Sequence, residues 1–216
     1  MNTPDQKQLE SFFIKYPIRH FDKGQIIIAA NETPSGIFYV VSGQIRQYDI
    51  TDLGADIVVD ILLTSSLFPL DWAVRNRPSQ YFYQAIGPVK VRVAPLGELE
   101  SFLMQAPNLL FSLLTRSVAA MTIMQRRMAH LMSGVTLNRV MFELITQVKR
   151  VGVRRADGSY SLHLHEDELA QRAGLTRETV NREVGKLKKL GIIEVNHRRL
   201  RIRDLAKLES MLDSHL

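Results

Sequence analysis

The chain has 216 residues, enough to bury one large core or two modest ones, and a change of pattern in its second third favours two domains. It has no cysteine, which excludes disulfides, thiolate zinc sites, thiol redox sensing and cysteine-ligated iron–sulfur clusters. The formal net charge of +6 favours a polyanionic partner, although a membrane surface would also attract such charge.

The N-terminal residues predict a short helix and no targeting segment. Residues 1–10 have no basic stretch followed by an apolar run, and no segment of the chain reaches ~18 consecutive apolar residues. We therefore expect a soluble cytoplasmic protein with no membrane partner. Residues 4–16 have the spacing of an amphipathic helix that packs through Leu9, Phe12 and Phe13.

The pattern from residue 21 to residue 95 is typical of a β-rich domain. Short β-rich runs separated by glycines favour a sandwich, barrel or roll closed on itself. Residues 64–80 interrupt this rhythm, and we expect an irregular insertion there with one helical turn, of the sort that often lines a pocket. The predicted strands are 25–28, 37–41, 44–50, 56–63 and 89–95.

A heptad pattern follows in the helical region after Leu96. Apolar residues recur at alternating spacings of four and three over about three heptads. This pattern predicts a coiled-coil dimer helix, and a long core helix packed on the β-rich domain is the alternative. Gly134, just beyond this helix, is expected to mark a hinge. The predicted dimer seam consists of Leu110, Leu114, Ser117, Met121, Met124, Met128 and Leu131.

The C-terminal region predicts a helix-turn-helix followed by a wing. Two helices joined at Gly174 have helix-turn-helix spacing, and a hairpin with a basic tip follows them. The predicted elements are a helix at 136–151, a hairpin turn at Asp157-Gly158, a strand at 161–165, helices at 166–173 and 175–191, and strands at 192–196 and 200–204.

The helix predicted at 175–191 has the composition of a DNA-recognition helix. Thr176 supplies an N-cap oxygen and Gly191 a C-terminal stop. One face is apolar and the opposite face is polar and mainly basic, so one packs and the other is left for a partner. The apolar face consists of Val180, Val184, Leu187 and Leu190, and the polar face of Arg177, Glu178, Asn181, Arg182 and Lys188.

Charge and hydrogen-bonding chemistry favour DNA over a purely structural pair of helices. From Arg172 to Arg203 the sequence has ten lysines or arginines against three glutamates. In the major groove, arginine pairs bidentately with guanine, glutamate accepts from cytosine, and asparagine pairs with adenine. The basic tip of the wing is expected to contact backbone phosphates.

Three segments resemble a known family. They are FDKGQIII at 21–28, SGIFYVVSGQIRQYDITDLGADIVVDIL at 35–62 and ELAQRAGLTRETVNREVGKLKKLGII at 168–193. On these segments, residues 21–205 resemble the cyclic-AMP receptor protein and fumarate-nitrate regulator (Crp/Fnr) superfamily of bacterial transcription factors. The stretch TRETVNR is very similar to the recognition helix of its cyclic-AMP receptor branch.

The resemblance implies an α+β fold in three parts. These are a β-roll sensor domain like cyclic-nucleotide-binding domains at 1–106, a parallel dimerisation helix at 107–133 and a winged helix-turn-helix DNA-binding domain at 134–216. It further implies a homodimer on double-stranded DNA, with TGTGA-type half-sites in an inverted repeat. RNA polymerase stays open as a further partner.

The resemblance also implies which residues contact DNA. Arg177, Glu178 and Arg182 carry over as base readers. We add Asn181, which departs from the small residue common in the family and leaves the preference at one or two base pairs open. Residues assigned to phosphate contacts are Thr176, Thr179, Lys188, His197, Arg198 and Arg199.

The sensor domain departs from the family's cyclic-nucleotide pocket. In that branch a Gly-Glu pair that starts a short helix and a later Arg-Ser or Arg-Thr pair bind the cyclic phosphate and ribose. This sequence has LFPLDWAV at 67–74 and RPSQYFYQAI at 77–86, where neither pair is intact. We do not expect cyclic AMP in the usual mode, and the effector is unknown. Candidate effector-pocket residues are Phe68, Asp71, Trp72, Arg77, Tyr81, Tyr83, Met124 and Gln125, although the aromatic ones, with Phe82, would equally fill the domain interior.

Metal, haem and catalytic chemistry have little support in the sequence. His163 and His165 lie on one face of a predicted strand, but a third ligand is missing. Haem ligation by His20 or His130 stays open. No Ser-His-Asp set, paired-carboxylate pocket or P-loop is present, so we do not expect an enzyme.

Control of such a regulator is expected to come from the sensor domain. An effector would change how the methionine-rich central helices pack and re-aim the two winged domains about Gly134. Two alternatives stay open. One is a regulator that binds DNA constitutively and has a degenerate, ligand-free sensor. The other is a signalling module whose winged domain binds protein or an anionic membrane instead of DNA.

Overall fold

The computed structural model describes residues 4–52, 54, 56–75, 77–162, 164, 166–196 and 199–213. The chain forms two compact units, Met1–Ser117 and Val118–Leu216, whose boundary lies within one long helix. The first unit has two clusters of buried apolar residues and the second has one. The three-part division at residues 106 and 133, expected from the sequence, stays a prediction.

The first unit is β-rich. Its strands are β1 (Ile18–Phe21), β2 (Ile26–Ile28), β3 (Ile37–Ser42), β4 (Ile45–Ile50), β5 (Asp56–Leu62), β6 (Leu67–Phe68), β7 (Phe82–Ala85) and β8 (Val89–Ala94). Its helices are α1 (Pro4–Phe13), α2 (Leu70–Arg75) and α3 (Leu96–Met104), followed by the start of α4 (Pro107–Met132). The strands form two antiparallel sheets of four, in the orders β1-β8-β3-β6 and β2-β7-β4-β5.

Strand β3 explains why the strands of this unit lack a simple alternation of polar and apolar residues. Ile37, Phe38, Tyr39 and Val40 are all buried. Because successive side chains of a strand point to opposite faces, Phe38 and Val40 join one core cluster, whereas Ile37 and Tyr39 join the other. The Tyr39 ring stacks on Phe13 of α1 at 5.0 Å between centroids. Both faces of this strand are therefore covered.

The structure confirms the predicted helix α1 and the predicted strands β2, β3, β4, β5 and β8, and it adds three strands that were not predicted. Strand β1 is exposed along most of its length, so it has no apolar alternation. It is a strand because it pairs with β8 from Ile18↔Arg92 to Phe21↔Val89. Strand β6 lies within the stretch predicted as irregular, and α2 is the helical turn expected there. Strand β7 pairs with β2 and β4.

The second unit has the predicted elements in the predicted order, with the strand Val153–Arg154 and the helix Leu205–Asp213 in addition. The elements are α5 (Thr136–Val151), β9 (Val153–Arg154), β10 (Tyr160–Leu162), α6 (Glu166–Ala173), α7 (Arg177–Lys189), β11 (Ile193–Asn196), β12 (Arg199–Ile202) and α8 (Leu205–Asp213). The four strands form an antiparallel sheet in the order β11-β12-β10-β9. One core cluster joins α5, α6, α7, α8 and this sheet.

Helix α8 was not predicted, although the sequence contains its signals. Asp204 accepts a hydrogen bond from the backbone N–H of Lys207 at 2.9 Å, as an N-cap residue does. Leu208 and Leu212, four residues apart, are its buried positions. Of the predicted strand 161–165, β10 covers residues 161 and 162, and His163 and His165 lie outside the described residues.

Helix α4 leaves the predicted dimer seam uncovered. All seven seam residues are exposed in the single chain, and the exposed fraction of the six apolar ones is 37% to 62%. The three seam residues of the first unit, Leu110, Leu114 and Ser117, are therefore not part of the core of that unit. Phe111 and Val118, which follow Leu110 and Ser117 along the chain, are exposed as well. Within the described ranges, no helix is both long and apolar enough to span a membrane.

Candidate nucleic-acid interface

A tight turn at Gly174 joins α6 to α7. Gly174 has a backbone φ of +60°, a left-handed conformation that favours glycine. A Cβ added there would lie 3.3 Å from Leu131 Cδ2, closer than an ordinary contact. The backbone N–H of Leu175 donates to Ala170 O at 3.0 Å across the turn. The left-handed conformation therefore favours glycine at this corner, and the close approach of Leu131 adds to that preference.

The ends of α7 are set by its own residues, as predicted. Thr176 is the N-cap, and its side-chain oxygen accepts from the backbone N–H of Thr179 at 3.2 Å. At the other end Gly191 has a φ of +70°, and the N–H of Ile192 donates to Leu187 O at 3.1 Å. These bonds satisfy backbone groups that a helix end leaves open.

The packing face of α7 agrees with the prediction at three positions of four. Val180, Val184 and Leu187 are buried in the core of the second unit. Leu190 is 52% exposed, so its assignment to this face was wrong. The helical wheel fails there because α7 ends at Lys189 and Leu190 is already its C-cap residue. The next apolar residue in the core is Ile192, beyond the turn.

The polar face of α7 is exposed as predicted. Arg177, Glu178, Asn181 and Arg182 are all exposed, and their spacing places them together on the first two turns of the helix. Lys188 is also exposed, near the C-terminal end. The structure therefore brings the four predicted base readers together on one accessible face. Of the predicted phosphate contacts on this helix, Thr176 is exposed and Thr179 is half-buried.

Glu183 is a functional-site neighbour that the sequence analysis did not single out. Its side chain is only 1% exposed, and it accepts a hydrogen bond from Thr136 Oγ1 of α5 at 3.0 Å. Its carboxylate also pairs with Lys186 at 2.6 Å and Arg182 at 3.3 Å. Burial alone raises the pKa of Glu183, but the hydrogen bonds that it accepts outweigh burial and hold the pKa below its ordinary value. Glu183 links the recognition helix to α5.

Acidic residues at the start of α6 lie next to the exposed polar face of α7. Arg177 Nε is 3.4 Å from Asp167 Oδ1 and 4.0 Å from Glu166 Oε2. Asn181 lies within hydrogen-bonding distance of Glu166 as well. These contacts join two of the predicted readers to α6. Each of the acidic residues was visible in the sequence as part of a helix N-terminus, but its proximity to α7 depends on the angle of the two helices.

Ion pairs reduce the basic charge that the sequence count suggested. Arg172 is buried and donates to Glu168 Oε1 at 2.9 Å. Arg201 on β12 pairs with Asp157 and also lies 3.5 Å from Glu194. Arg203 pairs with Glu194. Part of the wing's charge is therefore neutralised within the protein.

The predicted tip of the wing is described only in part. Strands β11 and β12 pair from Ile193↔Ile202 to Asn196↔Arg199, which confirms the hairpin. His197 and Arg198 lie outside the described residues. Arg199 is described through its backbone pairing alone.

The predicted effector-pocket residues that belong to the first unit do not form one cluster. Phe68 stacks on Tyr83 at 5.0 Å between ring centroids, and both are 2% exposed within one core cluster, with Tyr81 packed against it. Burial raises the pKa of Tyr83. Trp72 belongs to the other cluster of this unit, and the Phe82 ring stacks on Tyr48 instead.

The polar members of the predicted effector pocket are exposed or already paired. Asp71 pairs with Arg75 at 3.4 Å, one helical turn along α2, and Arg77 is exposed. Met124 and Gln125 are exposed on α4, in the part that belongs to the second unit.

The two histidines considered for haem lie in different surroundings. His20 is exposed on β1. His130 is 1% exposed, its ring is 4.8 Å from that of Phe142, and neither of its ring nitrogens has a hydrogen-bond partner among the described residues. Burial, with a smaller effect of Arg126, lowers the pKa of His130. Within the described ranges, no group of three or more histidine, aspartate or glutamate side chains could hold a metal ion.

Two family models match separate parts of this chain. The Crp-like helix-turn-helix domain matches residues 126–211, which include α6, α7 and the wing. The cyclic nucleotide-binding domain matches residues 18–106, which include all eight strands of the first unit. Together the two matches account for most of the chain.

Bacterial proteins are similar to this chain along nearly its whole length. It is 26% identical over 204 residues to the "Global nitrogen regulator" of Synechocystis sp., and this alignment covers 91% of the chain and 88% of that protein. It is also 26% identical over 208 residues to the "Anaerobic regulatory protein" of Haemophilus influenzae, with 95% of the chain and 79% of that protein covered.

A solved structure has the same fold. A CooA variant from Carboxydothermus hydrogenoformans superposes with a TM-score of 0.76 at 23% identity, and the match covers 94% of this chain and 90% of that one. The α+β architecture predicted from the sequence, with a β-rich domain, a long helix and a helix-turn-helix domain, is thereby confirmed. The matched relatives are regulators and not enzymes. This chain belongs to the Crp/Fnr superfamily of DNA-binding transcription regulators.

Proposed function

We propose that this regulator binds an inverted-repeat operator as a homodimer and that each protomer reads one half-site with α7. The observation that carries the proposal is the exposed face of α7, where Arg177, Glu178, Asn181 and Arg182 are grouped on a helix whose opposite face is buried. A helix with this division presents one rigid face to a partner, and the side chains on that face match base edges.

The chemistry of each predicted reader supports a distinct task. Arg177 and Arg182 present guanidinium groups that pair bidentately with O6 and N7 of guanine. Glu178 presents a carboxylate that accepts from N4 of cytosine. Together they favour a half-site that resembles the family's TGTGA type, with Asn181 setting the preference at a position where the family has a small residue.

Phosphate contacts are expected around this face. Thr176 and Thr179 lie at the N-terminus of α7, where hydroxyls and backbone N–H groups favour an anion. Lys188 lies near its other end, and His197, Arg198 and Arg199 are assigned to the tip of the wing from the sequence. Such contacts set the orientation of the protein on DNA and add affinity that depends on salt.

The homodimer is proposed from the uncovered stripe on α4. Seven residues at a/d spacing, from Leu110 to Leu131, are exposed in the single chain. A second copy of the helix in parallel would bury this stripe by knobs-into-holes packing. A two-fold dimer would then place two recognition helices about 34 Å apart, in successive major grooves.

We propose that the first unit responds to an effector that it does not bind in the usual cyclic-AMP mode. Leu70 and Asp71 open α2 in the stretch 67–74, where the family's Gly-Glu pair is expected. Asp71 is paired with Arg75 and Leu70 has no polar side chain, so neither supplies the ribose-binding carboxylate of that branch. An effector would act by repacking the two copies of α4 and re-aiming the winged units about Gly134.

A second candidate is a regulator that binds DNA without an effector. It is favoured by the burial of Phe68 and Tyr83, which fill the core of the first unit and leave little surface for a ligand. Mass spectrometry of small molecules released from the denatured protein separates the two candidates. A stoichiometric co-purified compound supports the effector, whereas DNA binding by ligand-free protein supports constitutive action.

Selection from a pool of random duplex DNA tests the main proposal. The wild-type chain should enrich an inverted repeat and bind it well above random duplex at the same salt concentration. A variant with Arg177, Glu178 and Arg182 changed to alanine is the comparison, and thermal unfolding checks that it folds. No enrichment by the wild type, with binding to the pool unchanged in the variant, would contradict base reading by α7.

A further inference from the structure

The N-terminus of α6 holds one of the predicted base readers of α7. Asn181 faces the carboxylate of Glu166, and because a carboxylate only accepts hydrogen bonds, the amide nitrogen of Asn181 is the atom turned towards it. That nitrogen lies 3.0 Å from Glu166 Oε1 and 2.7 Å from Oε2. The Glu166 side chain is 32% exposed and also lies 4.0 Å from Arg177 Nε. The closest polar contact of Glu166 on α7 is therefore with Asn181.

The side-chain amide of Asn181 has a donor end, the nitrogen, and an acceptor end, the oxygen, and Glu166 engages the nitrogen. A free asparagine side chain presents a donor and an acceptor and rotates to suit the base, and it pairs bidentately with adenine when both ends are available. Both carboxylate oxygens of Glu166 lie within hydrogen-bonding distance of this nitrogen and engage its N–H donors, so the carbonyl oxygen is the end of Asn181 that Glu166 does not engage. A carbonyl oxygen only accepts hydrogen bonds.

The bases differ in what they offer to an acceptor in the major groove. Adenine and cytosine carry exocyclic amino groups, N6 and N4, which donate. Guanine and thymine carry O6 and O4 at the corresponding edge, which accept and would repel a carbonyl oxygen. An asparagine held in one orientation therefore separates the amino bases from the carbonyl bases.

We propose that Glu166 is a specificity-determining residue: by holding the amide nitrogen of Asn181, it makes this residue select a base with an exocyclic amino group and reject guanine and thymine. The proposal rests on the proposed function, since it needs α7 to contact base edges. Glu166 acts through Asn181 and is a positioning residue that does not itself contact the base.

A simpler effect of Glu166 must be separated from this one. A carboxylate near DNA repels phosphates and weakens binding to every sequence alike. Positioning of Asn181 changes the preference at a single base pair of each half-site and leaves the others unchanged. Asp167 is the matched charge control, because it is the adjacent acidic residue and its ion pair is with Arg177.

The test is selection from duplex DNA randomised in both half-sites, followed by competition binding. It compares the wild type with Glu166→Ala, Glu166→Asp, Asp167→Ala, Asn181→Ala and the double variant Glu166→Ala/Asn181→Ala. The aspartate variant keeps the charge and withdraws the carboxylate by one methylene. The wild-type half-site should contain one position limited to adenine or cytosine, and Asn181→Ala should lose that limit.

The proposal predicts that Glu166→Ala and Glu166→Asp both admit guanine or thymine at that position, with a loss of discrimination of about tenfold, the order of one good base contact. Asp167→Ala should leave the position unchanged. In the Asn181→Ala background, Glu166→Ala should have no further effect there. Thermal unfolding of each variant confirms that the second unit is folded.

Two results would overturn the inference, and one of them would also overturn the proposed function. If the wild type enriches no sequence, the proposed function fails and the inference fails with it. If the wild type enriches an inverted repeat but both Glu166 variants keep the same preference at the Asn181 position, the inference alone fails.

Discussion

Single residues on α7 divide into those that are exposed and those that hold the helix in place. Arg182 is exposed, whereas its neighbour Glu183 is buried and bonded to Thr136 of α5. Arg182 Nε lies 3.3 Å from Glu183 Oε1, so its guanidinium is tied at one nitrogen. A guanidinium has five N–H donors, and the terminal ones stay available for a base. Glu183 therefore holds the Nε of Arg182, while the two terminal nitrogens of Arg182 are left to contact DNA.

Changing Arg182 to alanine should weaken operator binding by roughly 1 to 3 kcal/mol and relax the preference at one base pair, because a bidentate base contact is lost. Lys188→Ala is the comparison. Loss of a lysine that contacts phosphate should weaken binding to all sequences alike. It should also reduce the slope of log affinity against log salt concentration by about 1. Binding curves at two salt concentrations, on operator and scrambled duplexes, measure both. If Arg182→Ala lost the same affinity for both duplexes, Arg182 would not be a base-reading residue.

The N-cap of α7 makes a stability prediction that is independent of DNA. Thr176→Ala should lower the free energy of unfolding by about 0.5 to 2 kcal/mol, because the backbone N–H of Thr179 loses its acceptor. Thr176→Ser keeps the hydroxyl and should stay close to the wild type. Urea denaturation followed by circular dichroism measures the difference, and an unchanged midpoint in Thr176→Ala would contradict the capping role.

At the residue scale the sequence predicted which side chains of α7 are exposed better than it predicted their contacts. The exposure of Arg177, Glu178 and Asn181 follows from helical periodicity, which is a local property. The burial of Glu183 and the approach of Glu166 to Asn181 depend on how α5, α6 and α7 cross, and no spacing within one helix reports that. A count of charges has the same limit, because the wing arginines pair with residues of another strand and of a turn, such as Glu194 and Asp157.

Among the elements, the end of α4 and the start of α5 form a buried polar junction within the second unit. Arg127 Nε and Nη2 donate to the two carboxylate oxygens of Glu143 at 2.5 and 3.1 Å. His130 is buried beside them against Phe142. Arg139 Nη2 donates to Leu131 O at 2.6 Å. A bidentate contact between arginine and a carboxylate adds geometric specificity to the packing of the two helices.

His130 makes this junction sensitive to acid. Its pKa in the folded protein is below the ordinary value of 6.5, because burial disfavours the charged form and Arg126 adds to this. The unfolded state therefore binds a proton more readily, so stability is full above about pH 6.5 and is lost as the pH falls towards the folded pKa. The thermal midpoint of the second unit should decrease accordingly between pH 7.5 and pH 5.5.

A variant pair isolates the contribution of His130. In His130→Leu the thermal midpoint should decrease less between pH 7.5 and pH 5.5 than in the wild type. His20→Leu, at an exposed strand position, should show the same decrease of the midpoint as the wild type. Differential scanning calorimetry at the two pH values measures it. Identical decreases in both variants would show that His130 does not titrate across unfolding.

The elements also show where sequence periodicity stops being informative. Helices α5, α6 and α7 were predicted to within about two residues because each has an apolar face and terminal signals. Strand β1 has neither, and it exists because β8 supplies its hydrogen bonds. Strand β6 is only two residues long and β7 lies in an aromatic run, so tertiary pairing and not local pattern defines them.

For the whole molecule, we propose that the exposed stripe on α4 joins two copies of the chain, so that their two α7 helices bind DNA together. Met121→Lys places a charge in the seam and should shift the protein from dimer to monomer, because a buried lysine has no partner there. Thr122→Lys places the same charge one residue away, outside the seam, and should leave the dimer intact. Sedimentation equilibrium measures both, and a dimer in both variants would contradict the seam.

The most direct test of the central claim is the dependence of binding on the distance between half-sites. The wild-type chain is titrated with the selected inverted repeat and with the same repeat lengthened by half a helical turn, about 5 base pairs. Two recognition helices fixed by one dimer should bind the original duplex as one dimer and lose most of their affinity for the lengthened one, since its half-sites then face opposite sides. Equal affinity for both duplexes, or binding of one protomer at a time, would contradict the account.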